Sequence, residues 1–373
     1  MQGHYYLITM GVNDLRQRLD ELDAKILALI AERQAVVSEI GAQKMESGRP
    51  LRDYAREREV LEQAEGKAID LGMPAGIARD IMQQLIQHSL THQEQRRWVS
   101  AEHGLGQTAL VIGGLGRMGA WMARYLDAVG YTVEVADPGE GESLFPHFSD
   151  WQTSDLQHDV IVVAAPMRIS NGILLALVER QPPGLVFDIA SLKSPLAQGH
   201  TALLEAGCRV ASVHPMFGPD AMMLADRHVL FVDVGHPDAT GAALEMFAPT
   251  AAECVQMTPA EHDRAMSWVL GLSHLLNIAF ATTLSSSGAA ISWLKKLSST
   301  TFNAQLEVAS NIIHENPRLY YEIQHCNDSG ESALDLFTAT LEQLKGQIEG
   351  GDEEAWVEKI MAARTALDKS PNE

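Results

Sequence analysis

The stretch LVIGGLGRMGAWMARYL, Leu110–Leu126, decides how this chain is read. The run Thr108–Gly113 is short and apolar, as a buried strand is, and Gly114-Leu-Gly116-Arg-Met-Gly119 opens a helix. "YTVEVAD" supplies a second strand, and it ends in Asp137, eighteen positions after the last glycine. A lone GxGxxG says little; between a strand and a helix, with an acidic residue at that distance, it specifies a Rossmann-type dinucleotide-binding unit.

The chemistry follows from the residue types. Gly114, Gly116 and Gly119 let a pyrophosphate approach the helix N-terminus. Asp137 would accept from the adenosine ribose hydroxyls and repel a 2′-phosphate, which favours NAD over NADP. Arg117 and Arg124 are the opposing signal, although salt bridges on a helix surface account for them equally well.

The runs "DVIVVAAP", "LVFDIAS", "CRVASVHP" and "HVLFVDV" continue the sheet, the later ones as candidates for antiparallel pairing, over a domain spanning 105–257. Polar clusters stand at two strand ends, where α/β sheets bind ligands. In the first, Asp188-Ile-Ala-Ser191-Leu-Lys193, we assign Ser191 and Lys193 to the cofactor. The second, Ser212-Val-His214-Pro-Met-Phe-Gly218-Pro-Asp220, offers His214 as a base at neutral pH. A histidine there is as often structural as catalytic.

Composition narrows the class. The 373 residues suffice for two or three domains, and the net charge of −21 disfavours nucleic acid or an anionic membrane as partner. Residues 1–100 carry only −2 of it, so cations for an anionic ligand are concentrated there. Cys208, Cys254 and Cys326 have no CxxC or ligand spacing and read as reduced thiols. With no basic leader before an apolar run and no eighteen-residue apolar stretch, a cytoplasmic location is expected.

From Asp14, apolar residues recur at Leu15, Leu19, Leu22, Ile26, Leu29, Val36 and Ile40, the seam of one long helix. Arg33 interrupts that seam, which suggests either a buried ion pair with a neighbouring Glu or a ligand site. Lys44 lies eleven residues on, about three turns away, and shares its face. Gly48 and Pro50 should break this helix, "LRDYAREREVLEQA" begins a second, and "IARDIMQQLIQHSLTHQEQ" a third. The first is too long for the other two to cover, so a homodimer exchanging long helices is expected. Arg16 and Arg33 are about 25 Å apart on one helix, so Arg16 serves a neighbouring subunit's site or none.

Over residues 15–93 the chain resembles the all-helical chorismate mutases, with Arg16, Arg33, Lys44, Asp53, Arg56, Glu57, Ser89 and Gln93 in order. The resemblance implies arginines on the two carboxylates of chorismate, Lys44 and Gln93 at the ether oxygen, and Glu57 on the ring hydroxyl. "HPMFGPD" around His214 resembles the prephenate dehydrogenases. There the histidine takes the proton of the C4 hydroxyl as hydride leaves C4 for NAD, and decarboxylation aromatises the ring.

The pattern after Thr258 is helical over 258–373; the resemblance implies that this is the family's dimerisation domain and that His262, next to Asp263, meets the substrate. His262 and His274 lack zinc spacing, so no metal is expected. Together these features resemble the bifunctional chorismate mutase/prephenate dehydrogenase family: an all-α mutase, an α/β Rossmann-type domain and an all-α domain. Two positions depart. Ala164 stands where the family has a strand-end serine, and Asn303 where it has an arginine for a substrate carboxylate. Either Lys295, Lys296 or Arg318 compensates, or the substrate is less anionic, as 4-amino-4-deoxyprephenate is. Two other readings stay open: a generic NAD-dependent hydroxyacid or imine dehydrogenase, and a non-catalytic regulatory homologue.

Overall fold

The computed structural model describes residues 11–46, 53–100, 103–329 and 331–368. The expected breakers Gly48 and Pro50 lie outside the described residues. Helix α1 (Val12–Glu46) is continuous through all of the seam, α2 spans Tyr54–Asp70 and α3 spans Ala75–Ser100. Asp53 begins α2 by accepting from the Arg56 amide at 3.0 Å, the cap its position in the sequence suits. Helix α3 packs on both α1 and α2. It cannot cover all of α1, and Leu15, Leu19, Leu22, Ile26, Leu29, Val36 and Ile40 are each about half exposed.

The sheet that follows comprises β1 (Thr108–Ile112), β2 (Thr132–Ala136), β3 (His147–Phe148), β4 (Val160–Val163), β5 (Leu185–Asp188), β6 (Arg209–Pro215), β7 (His228–Val232) and β8 (Glu253–Met257). Helices α4 (Arg117–Ala128), α5 (Met167–Val178), α6 (Ala197–Glu205) and α7 (Pro237–Met246) connect them. Strand order is β3-β2-β1-β4-β5-β6-β7-β8. Pairing is parallel except between β6 and β7, with His214 opposite Leu230, and β8 runs parallel to β7. The antiparallel expectation therefore holds at one junction alone. Buried clusters on the two faces explain why the central strands read as unbroken apolar runs.

The chain then becomes helical again. Helix α8 (Pro259–Met266) carries a Thr258–Glu261 capping box and runs through a π-helical stretch, Ser267–Leu272, into α9 (Ser273–Ser286). The helices α10 (Ile291–Lys296), α11 (Thr300–Ile313), α12 (Pro317–His325), α13 (Glu331–Gly350) and α14 (Glu353–Leu367) complete it. The continuous segment Pro259–Ser286 is long and apolar enough to cross a membrane by length and composition, and little of its most apolar window is buried. Its exposed Trp268, Val269 and Leu276 equally suit a protein interface.

Glycine is required in the turn for different reasons at different positions. A Cβ on Gly119 would stand 2.0 Å from the Gly113 carbonyl oxygen, and one on Gly114 would stand 2.5 Å from Val135. At Gly116 the nearest atom is 3.1 Å away. Gly119→Ala should therefore destabilise by about 1–3 kcal/mol and Gly116→Ala by clearly less, as read from thermal unfolding of the two variants.

Candidate active sites

The reversal of strand order between β1 and β4 opens a crevice of about 950 Å³ at the C-terminal strand ends. Gly113, Gly116, Asp137, Ala164, Pro166 and Arg168 are among its lining residues. Helix α4 begins at Gly116 without a side-chain cap, which leaves its first amides for an anion. Asp137 holds the surrounding loops: one carboxylate oxygen accepts from the Leu115 amide at 3.2 Å and the other from Gly139 at 2.8 Å. Gly114 and Gly119 shape the turn by close packing. Arg117 pairs with Glu315 at 2.6 Å and Asp220 at 3.0 Å, the surface salt-bridge reading, and Arg124 is exposed.

The second cluster centres on His214, buried near the end of β6. Its Nδ1 is 2.9 Å from Nε2 of His262, whose Nδ1 is 2.7 Å from an Asp263 oxygen. The Asp263 carboxylate also accepts from the backbone amides of Lys193 and Ser194, the closest contacts being 2.9 and 2.7 Å. Burial alone would raise its pKa, but the hydrogen bonds from His262, Ser194 and Lys193 bring it below the ordinary value. An ionised acceptor fixes the protons along the chain. His262 must carry hydrogen on Nδ1, its Nε2 must accept from His214 Nδ1, and Nε2 of His214 is left as a free base.

Charge agrees with that assignment. Burial holds the His214 pKa well below its ordinary value, with the nearby Lys193 charge and His262 acting the same way. Burial also lowers His262, despite Asp263. Both shifts favour the neutral ring.

Two assignments change. Lys193 does not reach a cofactor: it is fully enclosed, donating to Asp188 at 3.1 Å, the Ala190 carbonyl at 2.7 Å and the Val213 carbonyl at 3.0 Å. His262 is likewise not free for substrate, since it is buried with both ring nitrogens engaged. It orients His214 instead. Asp188 accepts from His200 as well, at 2.8 Å. Burial pushes the Asp188 carboxyl up, but Lys193 and His200 outweigh it and hold it far below the carboxylate range. Sequence reasoning gave no role to Asp188 or His200, and only the adjacency of His262 and Asp263 signalled the relay.

Ser191 is half-buried beside this cluster. Ala164 lies two strands from His214, about 10 Å across the sheet. Asn303 is exposed in the first turn of α11, and Lys295, Lys296 and Arg318 are exposed too. His274 packs its ring on Tyr320.

A third cluster lies between α1 and α3. Half-buried Arg33 donates to Ser89 Oγ at 3.1 Å and to the Leu85 carbonyl at 3.4 Å, so its described partners are neutral and not a glutamate. Gln93 is buried and donates to the Val37 carbonyl at 2.9 Å, packed where a Cβ on Gly41 would collide with it. Arg33, Val37, Gly41 and Lys44 thus follow one another along the α1 face turned to α3, with Lys44 half-buried. On α2, Asp53 caps the helix, Arg56 meets Glu59 at 2.6 Å, and Glu57 is half-buried. Arg16 is exposed near the other end of α1.

Residues 15–94 match the family of type II chorismate mutases, and 258–362 match the dimerization domain of prephenate dehydrogenase. The chain is 25% identical to a T-protein of Enterobacter agglomerans over 346 residues, 92% of this chain and 89% of that one. It is also 25% identical to a 4-amino-4-deoxyprephenate dehydrogenase of Streptomyces pristinaespiralis over 269 residues, covering 69% and 90%. A structure of prephenate dehydrogenase from A. aeolicus, in complex with hydroxyphenyl propionate and NAD+, shares the fold. Its TM-score is 0.57 at 19% identity, over 70% of this chain and 98% of that one.

The relay predicts a spectroscopic result. Because the His214 pKa is depressed, its ring binds a proton only as pH falls well below 6.5 and stays neutral above. Nitrogen-15 spectra should show one tautomer, protonated on Nδ1, from pH 8 to 6. Asp263→Asn should give a mixture of tautomers, while an unchanged spectrum would remove Asp263 from the relay.

Proposed function

The chain belongs to the bifunctional chorismate mutase/prephenate dehydrogenase family, and from that membership we propose two consecutive reactions on one carbocyclic dianion. The first is the Claisen rearrangement of chorismate to prephenate. It needs no nucleophile or proton transfer, only a chair-like substrate and donors where charge grows on the ether oxygen. Arg33, with Ser89 beside it, suits a carboxylate, and Lys44 and Gln93 further along α1 and α3 suit the ether oxygen. Asp53, Arg56 and Glu57 would close the site from α2, with Glu57 on the ring hydroxyl. Arg16 would complete the site of a second subunit.

The second reaction is oxidative decarboxylation of prephenate to 4-hydroxyphenylpyruvate and carbon dioxide. NAD, when bound in the crevice, supplies the acceptor for the hydride that leaves C4. Gly116 and the open start of α4 would hold the pyrophosphate, and Asp137 the ribose. Nε2 of His214 would take the C4 hydroxyl proton as hydride leaves; the electron pair of the breaking bond between C1 and its carboxylate then moves through the ring to the C4 oxygen, which takes the proton back as the phenol while carbon dioxide departs. The observation that carries this reading is the Asp263–His262–His214 chain, which leaves a neutral imidazole nitrogen as base.

Ala164 and Asn303 favour a second reading, in which C4 carries an amine. A 4-amino-4-deoxyprephenate has one net negative charge fewer and asks for one cation fewer. The likeness to the T-protein across nearly the whole chain supports prephenate; the Streptomyces relative supports the amino compound. We further propose a cytoplasmic homodimer, which would cover the half-exposed α1 seam and the apolar α9 face.

Steady-state rates decide between substrates. With chorismate and NAD, the protein should release 4-hydroxyphenylpyruvate and carbon dioxide. A kcat/KM at least tenfold higher for 4-amino-4-deoxyprephenate than for prephenate would establish the amine reading, and Asn303→Arg should then move preference toward prephenate. Arg33→Ala should lower mutase kcat/KM by roughly 10- to 100-fold, the loss of one charge-assisted contact.

A further inference from the structure

Helix α3 is shared between the two halves of the molecule. Ser89 and Gln93 face α1, while the next residue, Glu94, points the other way and has no exposed surface. One Glu94 carboxylate oxygen accepts from the Leu224 amide at 2.9 Å and the Ala225 amide at 3.3 Å. The other accepts from the Ala251 amide at 3.0 Å. Thr91, one turn earlier, places its hydroxyl 3.3 Å from the Met223 sulfur. The contacts of Met223, Leu224 and Ala225 lie on the connection that leaves β6 just after His214 and returns as β7.

We propose that Glu94 is a positioning residue for the dehydrogenase reaction, contributed by the mutase helix. Leu224 and Ala225 are buried, and without Glu94 their amides would be left unsatisfied at a cost of about 1–3 kcal/mol each. The connection has other anchors: the Trp121 ring nitrogen donates to the Ala221 carbonyl at 2.8 Å, and Arg117 holds Asp220. Glu94 holds the part of the connection that leads into β7, whose Leu230 pairs with His214. It thereby fixes the segment that runs from the proposed base past the start of α4. The dehydrogenase half thus depends on α3 for its geometry as well as for its substrate.

The role in catalysis rests on the function proposed above; the mechanical link does not. In the full-length protein, Glu94→Gln keeps the shape but turns an amide hydrogen toward amides that need an acceptor. Hydrogen exchange over 222–227 and at 251 should accelerate at least tenfold. Dehydrogenase kcat on prephenate should fall at least fivefold while mutase kcat/KM on chorismate changes less than twofold, and Glu94→Asp should recover part of the exchange protection and of kcat. Unchanged exchange, or a parallel loss of both activities, would overturn the proposal. If the wild type oxidises no prephenate, the exchange measurement still decides the link, and the failure belongs to the functional reading.

Discussion

The buried ammonium of Lys193 is the constraint on which the His214 site hangs. A cation without exposed surface costs several kcal/mol unless it is paired and fully hydrogen-bonded. Here it is paired with Asp188 and bonded to the carbonyls of Ala190, just beyond β5, and Val213, on β6. Its three bonds tie the end of β5 to the end of β6 at Val213, the residue before His214. Its backbone amide meanwhile donates to Asp263, and through His262 that carboxylate sets the proton on His214. One residue therefore places the strand that bears the proposed base and the carboxylate that orients it. Its charge also helps keep His214 unprotonated.

This explains which parts of the site were legible in the sequence. The glycine turn and Asp137 are local features, fixed by backbone conformation and by spacing along one βαβ unit, and the structure places them together on one crevice. The helical face bearing Arg33 and Lys44 follows from period alone. Lys193 was misread because a cation at a strand end looks alike whether it faces a ligand or an internal carboxylate. Only the packing of α8 over the sheet, 70 residues later in the chain, separates the two. His262 was misread for the same reason. Glu94 gave no signal at all, since its partners are backbone amides, which every sequence supplies.

The long first helix shows the opposite case, where local pattern outruns what one chain can satisfy. Its seam specifies burial, yet each seam leucine or isoleucine remains about half exposed. Fully burying such a side chain contributes about 1.5–3 kcal/mol, so a repeated half-covered stripe is a large reserve of association energy. Arg33 fits this economy. It breaks the stripe where α3 supplies neutral acceptors, and its pKa is lowered by burial, as expected for a cation without a carboxylate partner among the described residues.

The depressed basicity of His214 bears on how the oxidation proceeds. A weakly basic imidazole cannot deprotonate an ordinary alcohol, whose acidity is near that of water at about 15.7. The hydroxyl becomes acidic only as hydride departure builds positive charge at C4, so proton and hydride must leave together and the base must already be aligned. An ammonium, with a pKa near that of lysine at about 10.4, gives up its first proton far more readily and asks less of alignment at that step. A site that fixes one tautomer through two further side chains and buries both rings suits the more demanding transfer. That geometry weighs toward the hydroxyl substrate, whereas Ala164 and Asn303 weigh toward the amine. On the proposed function, the relay would govern proton transfer and the two departures would govern binding, so the two substrates would separate in kcat and in KM independently.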